Sequence, residues 1–180
     1  MKNRFQWLLI FAIFLAACNY SSNKKQETSL YQKDGLSFQL PKYWKVGKDR
    51  PIEGVDGSRF LSVSNNEPLA GEEFFVITAI DTINTLAETM DNLIEQSRVS
   101  YSKRNIEFGL LNQAKELTIG QHKTLRIDFE TKLLGNRNKG SFTVFNLKDK
   151  TYSFVSSAEA KNIKEHTATI DSIIKSFKVN

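Results

Sequence analysis

Asp128 and Glu130 stand two residues apart in the run Leu125-Arg-Ile-Asp-Phe-Glu-Thr-Lys132. On a β-strand, side chains at i and i+2 share a face about 6.5–7 Å apart. That separation suits the acid and base of inverting glycoside hydrolysis. Such chemistry needs one carboxyl to keep its proton near neutrality, yet Arg126 and Lys132 bracket the pair on the same face and favour the ionised form of both. The stripe therefore reads as a self-neutralising, solvent-facing strand face. The two histidines are the other proton-transfer candidates. His122 follows Gly120-Gln121 in a turn signal without an adjacent carboxylate, so it is expected to be exposed. His166 falls by helical angle beside Ile163 and Ile170, on a buried stripe. A partly buried, hydrogen-bonded histidine at the stripe's edge is the plain expectation, with a base or a ligand-binding group as the alternative.

The only thiol in the 180 residues is Cys18, which ends Leu15-Ala16-Ala17-Cys18. Ahead of it Lys2 and Arg4 form a short positive region, and Phe5 to Leu15 is an almost unbroken apolar run. This order reads as a secretory signal; at about a dozen residues the run falls short of the roughly 20 needed to span a bilayer. The small residues before the cysteine resemble a bacterial lipobox, in which the sulfur receives a diacylglycerol and the signal is cut so that Cys18 becomes the acylated N-terminus. Thioether formation uses a nucleophilic sulfur that hydroxyls imitate poorly. Two or three acyl chains exceed the single-chain threshold for stable anchoring, at about 0.8 kcal/mol per buried methylene. The alternative is an idle cysteine beside an uncleaved signal. Residues 1–17 are thus expected to be a lipoprotein signal peptide and residues 18–30 a flexible polar tether. Such a tether reaches about 20 Å on average as a coil, or about 40 Å fully stretched. Residues 31–180 would form one domain, held by its core because no thiol remains for a disulfide.

The formal net charge is +5, and it becomes +3 once Lys2 and Arg4 leave with residues 1–17. That is too mild to propose a nucleic-acid partner. Residues 51–100 sum to −7 and residues 121–180 to +5. Such asymmetry can orient a domain against anionic lipid or an acidic partner, although clustered charge on solvated faces is the plainer reading. No Gly-x-Ser-x-Gly, phosphate-loop or dinucleotide fingerprint occurs. One cysteine and two histidines offer little for soft metal ligation, and no calcium-loop spacing is present. No catalytic residue, metal site or cofactor is assigned.

The elements that must position these residues follow from periodicity. Leu36–Leu40 alternates like a strand, with Tyr43–Val46 as its expected hairpin partner across Pro41-Lys42. A loop with Pro51, Gly54 and Gly57 leads to a strand near Phe60–Ser64, and Asn65–Gly71 forms a second loop. Phe74–Ile80 is apolar on both alternating faces, which predicts a central strand covered on both sides. Thr85 to about Ser102 reads as a helix with Leu86, Met90, Leu93, Ile94, Ser97 and Tyr101 in its stripe. One or two short strands are expected in residues 107–119. Strands follow over Leu125–Leu133, Phe142–Leu147 and Tyr152–Ser156, then an amphipathic helix over Ala160–Phe177. Strands grouped around two helices argue for an antiparallel α+β sandwich.

Gly35-Leu-Ser-Phe38-x-Leu40-Pro41-x-x-Trp44-x-Val46 resembles the opening of the PsbP-like family, and Ile170-x-x-Ile173-Ile174-x-Ser176-Phe177-Lys178 resembles its closing helix and tail. The resemblance covers roughly residues 31–180. It implies an antiparallel β-sheet flanked by helices on both faces, an α/β/α sandwich. The family includes photosynthetic extrinsic subunits and bacterial lipoproteins of undefined role. The resemblance carries over no metal-binding or partner-binding residue.

The functional expectation is a non-enzymatic accessory or binding module of a bacterial envelope, held on the cell membrane or outer membrane by its lipid anchor and facing the periplasm or exterior. An envelope protein is its expected partner. Its working surface is sought in the acidic region Pro51–Glu73, with Ile52, Val55 and Leu69 as apolar contacts. A lipid or small-molecule binder is the first alternative, using a helix–sheet cleft lined by aromatic residues such as Phe74, Phe75 or Tyr101. A hydrolase is the second, requiring a serine or aspartate clustered with His166.

Overall fold

The computed structural model describes residues 27–68, 70–81 and 84–180. Cys18, most of the expected tether and Leu69 lie outside the described residues. The elements run in the order β1 (Thr28–Lys33), β2 (Leu36–Pro41), β3 (Trp44–Ile52), β4 (Val55–Asn65), β5 (Phe74–Ile80), α1 (Leu86–Ser102), β6 (Glu107–Leu110), β7 (Lys115–Ile119), β8 (His122–Leu133), β9 (Asn136–Leu147), β10 (Lys150–Glu159), α2 (Ile163–Ser176) and β11 (Lys178–Val179). All strand pairings among the described residues are antiparallel. A small sheet has the order β1-β2-β11, and a large one the order β3-β4-β5-β10-β9-β8-β6, with β7 also paired to β8. The fold is α+β, mostly antiparallel sheet with two helices.

Two expectations about the opening are corrected. The first strand begins at Thr28, inside the segment expected to be tether. β2 does not pair with the strand that follows it: β2 lies between β1 and β11, and β3 pairs with β4. The chain passes from the small sheet to the large one at Lys42-Tyr43. Its apolar residues on either side, Phe38, Leu40 and Trp44, then enter one shared core.

Alternation in β8, β9 and β10 feeds two cores. Phe142 and Val144 of β9 join Ile127, Phe129 and Met90, against which Leu86, Leu93 and Ile94 of α1 pack. Phe145, one step out of phase with them, joins Phe38, Phe75, Phe154 and Ile170, Ile173, Ile174 and Phe177 from α2 and its end. Period-2 geometry sends such neighbours to opposite faces. β5 buries Phe75, Ile77 and Ala79 on alternate positions, but Phe74 stays exposed, so its second face is covered only in part. Gly140 has a packing reason, since a Cβ there would collide with the Ser156 carbonyl and the Phe129 ring.

α1 starts with a capping box. Thr85 Oγ1 accepts from the Glu88 N–H (3.2 Å), while Glu88 accepts from the Thr85 N–H (3.1 Å), so two otherwise orphaned donors are satisfied. α2 has no side-chain cap. The Asn162 side chain instead donates to the Ala70 carbonyl at 2.8 Å, tying the helix start to the β4–β5 loop. The two sheets are joined by a charged knot. Arg59 grips Asp49 through two bonds (2.8 and 2.9 Å), and Asp49 also accepts from the Tyr31 hydroxyl at 2.7 Å. The Arg59 guanidinium holds the Asp49 carboxyl well below the usual carboxylate range. Burial, then the bond to Asp49, pushes the Tyr31 phenol up to about 12.

Register places several termini together. Trp44 pairs with Asn65, Ser64 with Phe74, Phe74 with Ser157, Asn138 with Glu159, and Leu133 with Asn136. The starts of β3, β5 and β9 and the ends of β4, β8 and β10 therefore share one end of the large sheet. β1 enters beside it, because Thr28 pairs with Pro41, just before the turn into Trp44.

Candidate binding cleft

At this end, the loop between β4 and β5, the first turns of α2 and the end of β2 enclose a cleft of about 680 Å³. The loop is clasped at its base by the Asn65 N–H to the Glu73 carbonyl (2.9 Å) and anchored to the preceding turn by the Asn66 N–H to the Tyr43 carbonyl (2.9 Å). Asn65 Oδ1 accepts from the Glu67 N–H (3.0 Å), and its amide donates to Glu73 Oε2 (3.2 Å). These bonds fix the Glu73 carboxylate inward, with 11 % of its side chain exposed.

His166 lies on the first turn of α2, under this carboxylate. It is 1 % exposed and packs against Trp44, with ring centroids 5.7 Å apart. Neither ring nitrogen has a hydrogen-bond partner among the described residues. Nδ1 sits 3.8 Å from Glu73 Oε2, beyond direct hydrogen-bond range. Burial pushes the imidazole down to about 4, because a low-dielectric site disfavours the charged ring. At neutral pH the ring therefore offers one donor and one acceptor, both unspent. Leaving such a group buried and unsatisfied costs about 1–3 kcal/mol.

The lining is polar. Glu67 and Glu165 join Glu73, and Lys161 is drawn to Glu159 at 2.6 Å. The cleft thus combines excess negative charge with a neutral imidazole and an indole, an arrangement that receives hydrogen-bond donors or a cation. No hydrogen bond links His166 to a serine or threonine among the described residues, although Ser172 lines the same cleft. No group of three or more His, Cys, Asp or Glu side chains among the described residues is placed to hold a metal ion.

The other sequence candidates go elsewhere. His122 is not an exposed turn residue: it is 3 % exposed, its Nε2–H donates to the Phe177 carbonyl at 3.2 Å, and its ring lies 4.9 Å from that of Phe145. The sheet packs this strand start beneath the end of α2, which the turn signal could not reveal. The Asp128–Glu130 stripe is not a solvated face, since Arg126 and Glu130 are both buried. Arg126 bonds Asp171 of α2 (2.6 Å) and Thr143 (2.8 Å), and Asp128 accepts from Asn112 (2.7 Å). Glu130 is held by Arg137 (2.7 Å), with Lys132 at 3.4 Å, and these cations keep its carboxyl below its ordinary range.

The acidic region Pro51–Glu73 is mostly a hairpin rather than a loop. Ile52 ends β3 and Val55 begins β4, at the opposite end of β4 from the cleft. Phe75 is packed in the core, Tyr101 stacks on Phe108 at 5.3 Å, and Phe74 is exposed. His166 is the one singled-out residue that reaches the cleft floor, more deeply buried than expected and without the expected hydrogen bond. Trp44, Asn65 and Asn162 were legible only as hairpin, turn and helix-start residues, and Glu73 only as part of an acidic stretch.

Comparisons bear on the fold. No family model matches the sequence, and no curated protein matches it. Among solved structures, the solution structure of cyanobacterial PsbP from Synechocystis sp. PCC 6803 superposes with a TM-score of 0.59 at 15% identity, covering 86% of this chain and 94% of that one. LpqN of Mycobacterium tuberculosis, described as involved in cell envelope biogenesis, gives 0.53 at 7% identity, with coverage of 86% and 91%. A crystal structure from Bacteroides thetaiotaomicron VPI-5482 gives 0.55 at 12% identity. This chain covers only 48% of that longer one, with 84% of itself matched. At such identities the likeness speaks for architecture alone, and the architecture is PsbP-like.

Proposed function

We propose that this chain is a non-enzymatic binding module of a bacterial envelope, tethered through acylated Cys18, that uses the His166–Glu73 cleft to hold a small polar group bearing an ammonium or guanidinium. The buried, unpartnered imidazole beside a carboxylate carries this reading. A bound cation would face the Glu73 carboxylate, with the neutral His166 ring packed beneath it. In this reading the two cores make an α/β/α sandwich whose α2 side carries the cleft. The tether is supported by the small-residue run before Cys18. No described helix is long and apolar enough to cross a membrane, which is compatible with a lipid anchor. The envelope setting is further supported by the likeness to LpqN, whose own role is described there.

Titration calorimetry with arginine methyl ester, and with acetate as the anionic control, tests the cleft. The ester should bind and acetate should not, and Glu73→Gln should weaken the ester at least tenfold. Ester binding that is indifferent to Glu73→Gln contradicts the assignment. For the tether, Cys18→Ser should abolish labelling by an alkyne fatty acid and release the protein from membranes; a serine variant that stays labelled and bound contradicts it.

A further inference from the structure

The β8–β9 hairpin ends in Leu134-Gly135, and both residues have positive φ, 49° and 84°. Such two-residue turns favour Asn, Asp or Gly at the first position. The β1–β2 turn obeys this preference with Asp34-Gly35, at 47° and 75°. Leu134 violates it and is also 95 % exposed, beside Leu133 at 43 %. Neither its backbone nor its hydration favours leucine here, and no packing within the described residues repays it.

The surroundings supply the complement. Lys132 and Arg137 stand directly opposite each other in the register, and Lys139 stands opposite Glu130. Cross-strand like charges are unfavourable on their own, and a single Glu130 serves both Lys132 and Arg137. Lys103 and Arg104 lie in the connection from α1 to β6, whose first residue Glu107 pairs with Lys132, so they come to the same end. An apolar tip flanked by Lys132, Arg137, Lys139, Lys103 and Arg104, against Glu130, Glu107 and a Glu159 already paired with Lys161, fits the boundary of an anionic bilayer: leucine enters the acyl region while Lys and Arg stay with the headgroups. Each such cation near an anionic leaflet adds attraction. The tip also belongs to the end of the large sheet beside which β1 enters, so a tether reaching a membrane from Thr28 presents this end to it.

We propose that the Leu133–Leu134 tip, ringed by Lys132, Arg137 and Lys139, inserts shallowly into an anionic lipid surface and fixes the orientation of the domain on its tether. This rests on the tethered reading above. The test uses the acylated full chain carrying Leu134→Trp, reconstituted in vesicles with or without phosphatidylglycerol and with brominated acyl chains. Tryptophan fluorescence of the variant should be quenched several-fold more than that of the parent, whose described indole, Trp44, is buried. Quenching should fall in purely zwitterionic vesicles and with Arg137→Glu/Lys139→Glu. Protein that floats with the vesicles while the introduced indole stays unquenched overturns the inserted tip and leaves the tether standing. Equal quenching in both lipid mixtures overturns the anionic-surface assignment. Protein that does not float at all overturns the tether, and this proposal with it. Leu134→Asn provides a second arm: the melting temperature should rise, while lipid-dependent protection of the tip from protease is lost.

Discussion

α2 buries a histidine at each of its ends, and the two are treated oppositely. At the C-terminal end His122 from β8 donates a hydrogen bond to the Phe177 carbonyl and packs at a tilt against Phe145. At the N-terminal end His166 is still more deeply buried, yet both nitrogens are unpartnered and a carboxylate stands 3.8 Å away. The first is the usual outcome for a buried polar group, which folding pairs because desolvation is otherwise uncompensated. The second departs from it where a cleft opens. The C-terminal end of the helix pairs its buried histidine, and the N-terminal end, where the cleft lies, leaves its histidine unpaired among the described residues.

The largest effect should come from the stable end. Phe177 contacts Phe38, Phe145, Tyr152 and Phe154 with centroids 5.0–5.9 Å apart. Phe177→Ala should cost about 3–5 kcal/mol, read as a lowered denaturation midpoint, whereas a cost below about 1 kcal/mol would contradict its anchoring role.

Next comes pH. The His166 pKa is depressed in the folded state, from 6.5 to about 4. The unfolded chain therefore binds the extra proton, and stability falls as pH drops between these values. The loss approaches about 3 kcal/mol by pH 4, at about 1.4 kcal/mol per unit. Asp49 and Glu130, whose pKa values are lowered, contribute only as pH falls through the carboxylate range. Denaturant titrations at pH 7 and 5 should show a slope that His166→Leu flattens; an unchanged slope would assign it elsewhere.

The paired substitution sharpens the comparison. His122→Leu strands the Phe177 carbonyl and should cost about 1–2 kcal/mol. His166→Leu breaks no hydrogen bond and should be near neutral or stabilising, while removing ester binding. Equal costs at the two sites, measured by chemical denaturation, would erase the distinction. The smallest effect belongs to the hairpin tip. Leu134→Asn should stabilise by up to about 1 kcal/mol, since left-handed backbone costs an ordinary L-residue roughly 1–2 kcal/mol and asparagine less.

These contrasts also mark what the amino-acid pattern could disclose. Alternation exposes β2, β5 and β8–β10, and the stripes of α1 and α2 are correctly read because each buries one face. Thr85 and Glu88 stand at capping-box spacing at the start of α1, although only the structure shows the box closed. β1 has Tyr31 as its only half-buried residue and therefore no hydrophobic period to detect. β11 is two residues long. The partner of β2 depends on the chain changing sheets at Lys42-Tyr43, a non-local outcome that a hairpin-like spacing misreports. His166 was legible as buried from its helical angle. Its lack of a partner was not, because that depends on a loop far earlier in the chain, clasped by Asn65 and Asn162. His122 was misread for the same reason, since α2 arrives over it from the far end of the chain.

The central claim is that the floor of the cleft holds a buried, neutral imidazole with unspent hydrogen-bonding capacity. Nitrogen-15 NMR of the His166 ring over pH 3–8 reads this directly. A ring that stays neutral to about pH 5 and titrates near 4, with ring shifts that move when arginine methyl ester is added at pH 7, is the predicted result. Titration near 6.5 with no response to the ester would show a hydrated, unengaged side chain and contradict the account.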